Sequence, residues 1–272
     1  MVKSTFMQIF SWDPYNFSYA FIIIFVIQLV FFAFAAYFET DKVTDLSYGL
    51  SFVAIAAILL IANKTYYLWQ ILLVLMVAIW GIRLAGFLFI RVLKLKKDYR
   101  FDGIRENAAR FGRFWLLQAI SIWLIMLPGV AALGSNTNLS LNFAMYLGLA
   151  IWTVGFIIEA IADYQKYHYK NLKDKPSEWV STGLWQYSRH PNYFGEMLIW
   201  WGIFIFILPI LNNQLWLTAI SPIYITLLLL FVTGIPPLEK KYDERYTGNK
   251  DYLSYKEKTS LLIPLPTKKI GK

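Results

Sequence analysis

The chain contains no cysteine and only two histidines, His168 and His190. The first absence excludes disulfides and thiolate metal sites. The second excludes a histidine-rich centre of the di-iron kind, so no metal is expected. Charge is also scarce: Asp, Glu, Lys and Arg make up 16% of the 272 residues, where soluble domains carry about a quarter. No GxGxxG motif follows a strand-like run, which removes a Rossmann domain as a route to a dinucleotide. No repeat of fixed period and no low-complexity stretch is present.

What the chain does have is apolar residues, 58% of the total, with 18% aromatic. They cluster in runs near 19–38, 48–62, 66–90, 114–133, 142–162, 193–211 and 214–235. Each approaches or exceeds the ~20 residues that cross a bilayer core. The run at 48–62 is short and must borrow flanking residues. The chain start is aromatic and polar with no cleavage pattern, so the first run reads as a retained helix. The expected fold is all-α: an integral membrane bundle of seven transmembrane helices in a single membrane domain, 1–272.

A formal charge of +9 could point to nucleic acid, but its placement does not. With seven spans, the segments 39–47, 91–113, 163–192 and 236–272 fall on one side and hold 23 of the 26 Lys and Arg residues. The other side holds Lys3 and Lys64, and Arg83 sits within the third run. Excess positive charge marks the cytoplasmic face, which puts the N-terminus outside and the C-terminus inside. The expected partners are membrane lipids and a hydrophobic small molecule, with no nucleic acid, and the chain is expected to be a monomer.

Ionisable groups inside a membrane are costly and usually face a cavity or a partner. Arg83 lies two turns from the inner end of the third run, about 10 Å deep by helical rise. Glu159 and Glu196 lie one turn inside the fifth and sixth, and Asp45 stands where the second helix starts. All fall in the cytoplasmic half, which predicts a polar pocket opening to that side. Glu159, Asp163, Lys166 and Lys170 recur at spacings of four, three and four, which is one helical face. Lys166 reads most simply as part of a solvated, ion-paired stripe.

The densest chemistry is GLWQYSRHPNYFGEMLIWWG, residues 183–202. Pro191 fits the first turn of a helix whose leading N–H groups lack helical partners. Such a start, beside Arg189 and His190, attracts phosphate-like anions. Simpler roles stay open. Arg189 and His190 suit anionic lipid head groups, Tyr187 and Tyr193 suit an aromatic belt, and Trp200 and Trp201 suit anchoring or core packing. Downstream, PPLEKKYDERY reads as a helix entered through a proline pair and ended by Ile263-Pro264-Leu265-Pro266.

GLWQYSRHPNYFGE resembles the nucleotide-binding motif of membrane proteins related to steroid 5α-reductases, most closely the bacterial DUF1295 group. WGIRLAGFLFIR at 80–91, DYRFDGIRE at 98–106, EAIADYQKYHYK at 159–170, PPLEKKY at 236–242 and SLLIPLP at 260–266 are similar to that group in the same order. The likeness runs from about Asp45 onward. It implies NADPH bound from the cytoplasmic side, hydride transfer to the β-carbon of an apolar enone, and a bacterial inner-membrane location.

By resemblance, Asp163, Lys170, Tyr187, Arg189, His190, Asn192, Tyr193 and Glu196 fall on cofactor-contacting segments. Glu239, Tyr242, Arg245 and Tyr252 fall on the tail, 236–272, that would close over the cofactor. The family's substrate-contacting acid and tyrosine have Asp45 and Trp80 as nearest matches, with Tyr48 able to supply the missing phenol.

Hydride addition to an enone puts negative charge on its oxygen, and a donor aimed there stabilises it. Asp45 or Tyr48 could be that donor. Arg83 either orients the acid or neutralises a carboxylate, and if it paired with Asp45 the proton would fall to Tyr48. A basic residue such as Arg245 or Lys241 would favour NADPH over NADH. Isoprenylcysteine carboxyl methyltransferases carry a similar RHPxYxG run, so an S-adenosylmethionine-dependent methyltransferase is the alternative. A lipid-binding or scaffold protein that kept the pocket without the reaction is a third reading.

Overall fold

The computed structural model describes residue 10 and residues 12–94, 101–170 and 179–267. Lys3, the Asp98-Tyr99-Arg100 part of DYRFDGIRE, and parts of the basic segments 91–113, 163–192 and 236–272 lie outside the described residues. The secondary structure is helical. Among the described residues the only β feature is an isolated parallel bridge between Ser188 and Ser260.

Seven stretches are long and apolar enough to cross a membrane: Phe17–Tyr37, Thr44–Asn63, Leu68–Lys94, Ala108–Leu133, Phe143–Lys170, Pro191–Ile210 and Asn213–Arg245. Their mean hydropathies run from 1.7 to 2.6, which makes the chain an integral membrane protein. The first five are single α-helices, α1 to α5, with those bounds. The sixth is α6 (Pro191–Phe206) followed by a 3₁₀ turn. The seventh is composite. A 3₁₀ segment leads into α7 (Ile220–Leu227), a π-turn at Leu228–Val232, and then α8 (Ile235–Arg245). The tail ends in α9 (Lys250–Lys258).

The chain divides into two compact units. The first comprises Met1–Tyr146 with Ile203–Ser221, and the second Leu147–Gly202 with Pro222–Lys272.

In the first unit, Asp13 starts α1 by accepting from the backbone N–H groups of Phe17, Ser18 and Tyr19 at 3.0, 2.7 and 3.1 Å. These donors have no helical acceptor, so the carboxylate satisfies them. In lipid, helices gain little by hiding apolar faces from water and associate through close packing and polar contacts. Both are present. A Cβ on Gly49 would stand 2.7 Å from the Gly81 carbonyl, so α2 and α3 approach to backbone contact there. Buried Gln28 of α1 donates to Ser51 Oγ at 2.8 Å, and Gln118 of α4 donates to Gln28 Oε1 at 2.9 Å. The same Gln118 nitrogen lies 3.1 Å from Ser47 Oγ. This network fixes the opening turns of α2, which carry Asp45 and Tyr48. It also shows how the short run at 48–62 is extended. Thr44, Ser47 and Ser51 donate their hydroxyls to the carbonyls of Asp41, Thr44 and Ser47 at 2.7–2.8 Å, so polar residues join the helix with their groups satisfied.

In the second unit, α5 has 28 residues, about 42 Å by helical rise, and exceeds a bilayer core of about 30 Å. It meets α6 backbone to backbone. A Cβ on Gly195 would lie 2.6 Å from the Gly155 carbonyl, and one on Gly202 would lie 2.8 Å from that of Gly148. Trp200 is fully buried, and Trp201 donates to Thr226 Oγ1 at 3.2 Å.

The π-turn and the Ile235-Pro236-Pro237 entry break the seventh stretch before α8. The tail differs from its expected form. The helix entered through the proline pair ends at Arg245 and does not run on to the Pro264 region. Gly248, at φ 75°, turns the chain, and Asn249 caps a new helix by accepting from Asp251 and Tyr252 N–H, each at 3.0 Å.

Candidate functional site

The stretch 183–193 is built as a loop clamped from two sides. Gly183 has φ 62°, and a Cβ there would collide with the Gln165 side chain. Gln165 Oε1 accepts from Leu184 N–H at 2.9 Å, tying the loop to α5. Trp185 donates its indole N–H to the Ala162 carbonyl at 3.0 Å, and the Lys166 ammonium stands 4.8 Å over its ring. From the other side, the segment after α9 runs alongside. Arg189 N–H donates to the Ser260 carbonyl at 2.8 Å, and Leu265 N–H donates to the Tyr187 carbonyl at 3.2 Å. Ser188 Oγ donates to the Leu262 carbonyl at 2.6 Å while accepting from His190 N–H at 3.1 Å. Tyr255 Oη donates to the Trp185 carbonyl at 2.8 Å.

Two helical stripes face this loop. On α8, Glu239, Tyr242, Asp243 and Tyr246 recur at three, four and seven residues from the first. On α9, Tyr255 and Lys256 follow Tyr252 at three and four residues. Glu239 is the hub. Arg189 donates to its Oε2, His190 Nε2 lies 2.8 Å from its Oε1, and Lys256 Nζ lies 3.5 Å from Oε2. Lys256 also donates to both Asp243 oxygens at 2.6 and 2.7 Å. A carboxylate can only accept, so the neutral His190 ring carries its proton on Nε2. Its buried Nδ1 and the buried Arg189 Nε then have no hydrogen-bond partner among the described residues. Burial pushes the His190 imidazole below its ordinary value, and the Glu239 carboxylate opposes this. Burial likewise raises the Tyr252 and Tyr255 phenols, which keeps them protonated donors.

Arg189, Glu239, Tyr242, Tyr252 and Tyr255, with Trp179, Val180 and Trp185, line a crevice with an interior of about 20 Å³. Its walls are the rings of Trp179, Trp185, Tyr242, Tyr252 and Tyr255, and its charges are Arg189 and Glu239. That interior is room for about one water molecule and far short of a small-molecule site. A ligand therefore enters only if the ring walls part. The donor chemistry at Arg189 fits a phosphate-bearing group with a flat ring: a guanidinium with a buried, unpaired Nε beside aromatic rings, whereas the His190 Nδ1 can only accept. Among the described residues, no group of three or more His, Asp or Glu side chains is placed to hold a metal ion.

Of the residues singled out from the sequence, Arg189, Glu239, Tyr242 and Tyr252 line this pocket. His190 joins them through Glu239, and Tyr193 stacks on the His190 ring at 5.6 Å. Asn192 donates to Asp163 Oδ1 at 3.2 Å, which links the start of α6 to α5. Tyr187 contributes its backbone while its side chain is 40% exposed. Arg245 is exposed, with its guanidinium 5.6 Å from the Tyr246 ring centre. Lys170 and Glu196 are half-buried. Trp179, Trp185, Tyr255 and Lys256 were not singled out. The signal for Tyr255 and Lys256 was their shared stripe with Tyr252.

The first unit holds the other set. Asp45, in the first turn of α2, pairs with Arg91 at 3.4 Å. Tyr48 packs edge-on to Phe52 at 5.1 Å, and Phe52 packs edge-on to Trp80 at 5.1 Å. Trp80 is fully buried, and Arg83 is half-buried one turn further along α3.

A family profile described as "Protein of unknown function (DUF1295)" matches residues 31–259. An uncharacterized protein of Schizosaccharomyces pombe is 24% identical over 135 residues, covering 40% of this chain and 39% of that protein. The chain therefore spans about two fifths of that relative's length. No solved structure matches the chain.

Proposed function

Because the chain belongs to the DUF1295 family, which is steroid 5α-reductase-like, we propose that it is a membrane-embedded, NADPH-dependent reductase of a hydrophobic enone. The observation that carries this reading is the pocket wall made by the start of α6 and the tail, where Arg189 and His190 meet Glu239 among five aromatic rings. The proposed substrate is a 3-oxo-Δ4-steroid or another isoprenoid or lipid enone, reached from the bilayer. The proposed cofactor mouth faces the cytoplasm of a bacterial inner membrane, where the basic segments gather.

NADPH would supply a hydride to the β-carbon of the enone and leave as NADP⁺. The residues of the chain do the rest. Arg189 offers a fixed, charged fork to phosphate oxygens. Trp179, Trp185 and the tail tyrosines provide ring faces and exclude water. Asp163, Asn192 and Tyr193 hold the start of α6 in place, with Lys170 and Glu196 on the flanking helices. At the carbonyl end, the task is to hold a donor to the oxygen and deliver a proton to the α-carbon. Asp45 pairs with Arg91 at 3.4 Å and stands at the start of α2 one turn from Tyr48. Asp45 and Tyr48 are the proposed donors, with Arg83 and Trp80 as substrate contacts.

One observation favours the methyltransferase alternative. Five rings around a carboxylate suit a sulfonium cation. Against it, the Glu239 charge is already met by Arg189 and Lys256.

Melting the detergent-purified chain with NADPH, NADH or S-adenosylmethionine separates the two readings, because a ligand of the folded state raises the melting temperature by mass action. A rise with NADPH, followed by loss of nicotinamide absorbance with an enone, is expected. A rise with S-adenosylmethionine alone overturns the reductase reading.

A further inference from the structure

We propose that the segment after α9 docks on an anionic lipid surface, with Leu261, Ile263 and Leu265 entering the leaflet. The inference does not depend on the reductase reading. Beyond Arg245 the chain has left the seventh membrane-length stretch. Among the described residues that follow, four large apolar side chains are exposed, Leu253 and three that fall within five positions. These are Leu261 at 40%, Ile263 at 52% and Leu265 at 52%. Their neighbours Ser260, Leu262 and Pro264 are half-buried, so alternate positions face outward. The bonds that tie the segment to the loop use the Ser260 and Leu262 carbonyls and the Leu265 N–H, and none of the three exposed side chains. A cluster of exposed apolar side chains marks a surface that meets something other than water.

Two observations select lipid as that partner. The first is position. The Ser260 carbonyl accepts from Arg189 N–H at 2.8 Å, and Arg189 stands two residues before Pro191, where the sixth stretch begins. Two residues reach at most about 7 Å. The head-group layer on each side of a bilayer core is about 5–8 Å thick, so the segment lies at or just outside that layer. The second is charge. From Lys258 to Lys272 the sequence carries four lysines, Lys258, Lys268, Lys269 and Lys272, and no acid. Apolar side chains beside lysines form the pattern of an interfacial anchor. Each lysine held near an anionic surface favours the docked state by about five-fold. Docking would hold the segment, and through its backbone the loop at 187–189, at the leaflet surface.

The chain has no cysteine, so a single introduced thiol can be labelled alone. The test places a fluorophore at Ile263→Cys, and at Glu257→Cys on the exposed side of α9 as reference, in the full-length chain. Leu265→Cys replaces Ile263→Cys if that variant does not fold. Each is reconstituted into phosphatidylcholine vesicles with or without phosphatidylglycerol. Quenching is read with aqueous iodide and with bromine-bearing phosphatidylcholine. At 263 the lipid quencher should act several-fold more strongly than at 257, and iodide correspondingly less. Both differences should be larger with phosphatidylglycerol and should shrink as salt screens the lysines. Iodide quenching at 263 equal to that at 257 in both vesicles overturns the inference. So does shielding from both quenchers, which would mean that protein, a second copy or a soluble partner, covers these side chains. Equal lipid quenching with and without phosphatidylglycerol overturns the choice of an anionic surface.

Discussion

Replacing Gly195 with alanine is the sharpest probe of how the site is held. The new Cβ would stand 2.6 Å from the Gly155 carbonyl, 2.7 Å from Glu159 N and 2.8 Å from Glu159 Cβ. None of these atoms can rotate away, because two are backbone and the third is fixed to it. The α5 and α6 backbones must therefore separate, and overpacking of this kind costs about 1–3 kcal/mol. Alanine returns about 0.5–1 kcal/mol by being a better helix residue than glycine. The net loss is about 1–2 kcal/mol, which lowers the melting temperature of a chain this size by about 2–8 °C. Gly86→Ala is the control: it lies within α3, and its Cβ would have nothing within 4 Å. That variant should melt at or above the wild type. Both are read by thermal unfolding in one detergent without ligand. Gly195→Ala melting as high as Gly86→Ala would refute the backbone contact and the placement of Asn192 and Glu196 that depends on it.

Two further predictions concern the loop and the tail. Burial favours the neutral His190 ring in the folded protein, so the unfolded chain takes up a proton first as pH falls. The His190 contribution is complete above the ordinary value of 6.5 and declines as pH drops toward the lower folded value. Melting temperature against pH from 7 to 5 should thus be flatter for His190→Gln, by about the slope this one group supplies, and an unchanged curve would refute the burial argument. Asn249→Ala removes a cap that accepts from two backbone N–H groups, a loss of about 1 kcal/mol. Amide exchange at Asp251 and Tyr252 should quicken about five-fold, and unaltered protection would show that α9 starts without that side chain.

The spans were legible because lipid demands about twenty apolar residues in a row, a requirement written directly in composition. Thr44–Asn63 outran its apolar run because Thr44, Ser47 and Ser51 satisfy their hydroxyls on the helix itself. Hydropathy alone does not register that. The proline-entered helix was legible as well, while its early end depended on Gly248 taking positive φ. Arg189 and His190 stood out through their place before Pro191. Lys256 did not, since nothing along the chain separates it from the other basic tail residues. Only the facing of α8 and α9 selects it. Asp45 meets Arg91, two turns beyond the Arg83 that depth had made conspicuous, and it is helix register rather than composition that brings Arg91 there.

The contacts joining the loop at 187–189 to the segment at 260–265 are largely main-chain: Arg189 to Ser260, Leu265 to Tyr187, and the Ser188 hydroxyl to the Leu262 carbonyl. Bonds between peptide groups specify no residue type beyond the exclusion of proline at a donor. Side chains in this last segment are therefore not what holds it against the loop. The same logic sets the practical limit on shortening the chain. A truncation before Ser260 would leave every residue of the loop in place and still remove one of its two walls.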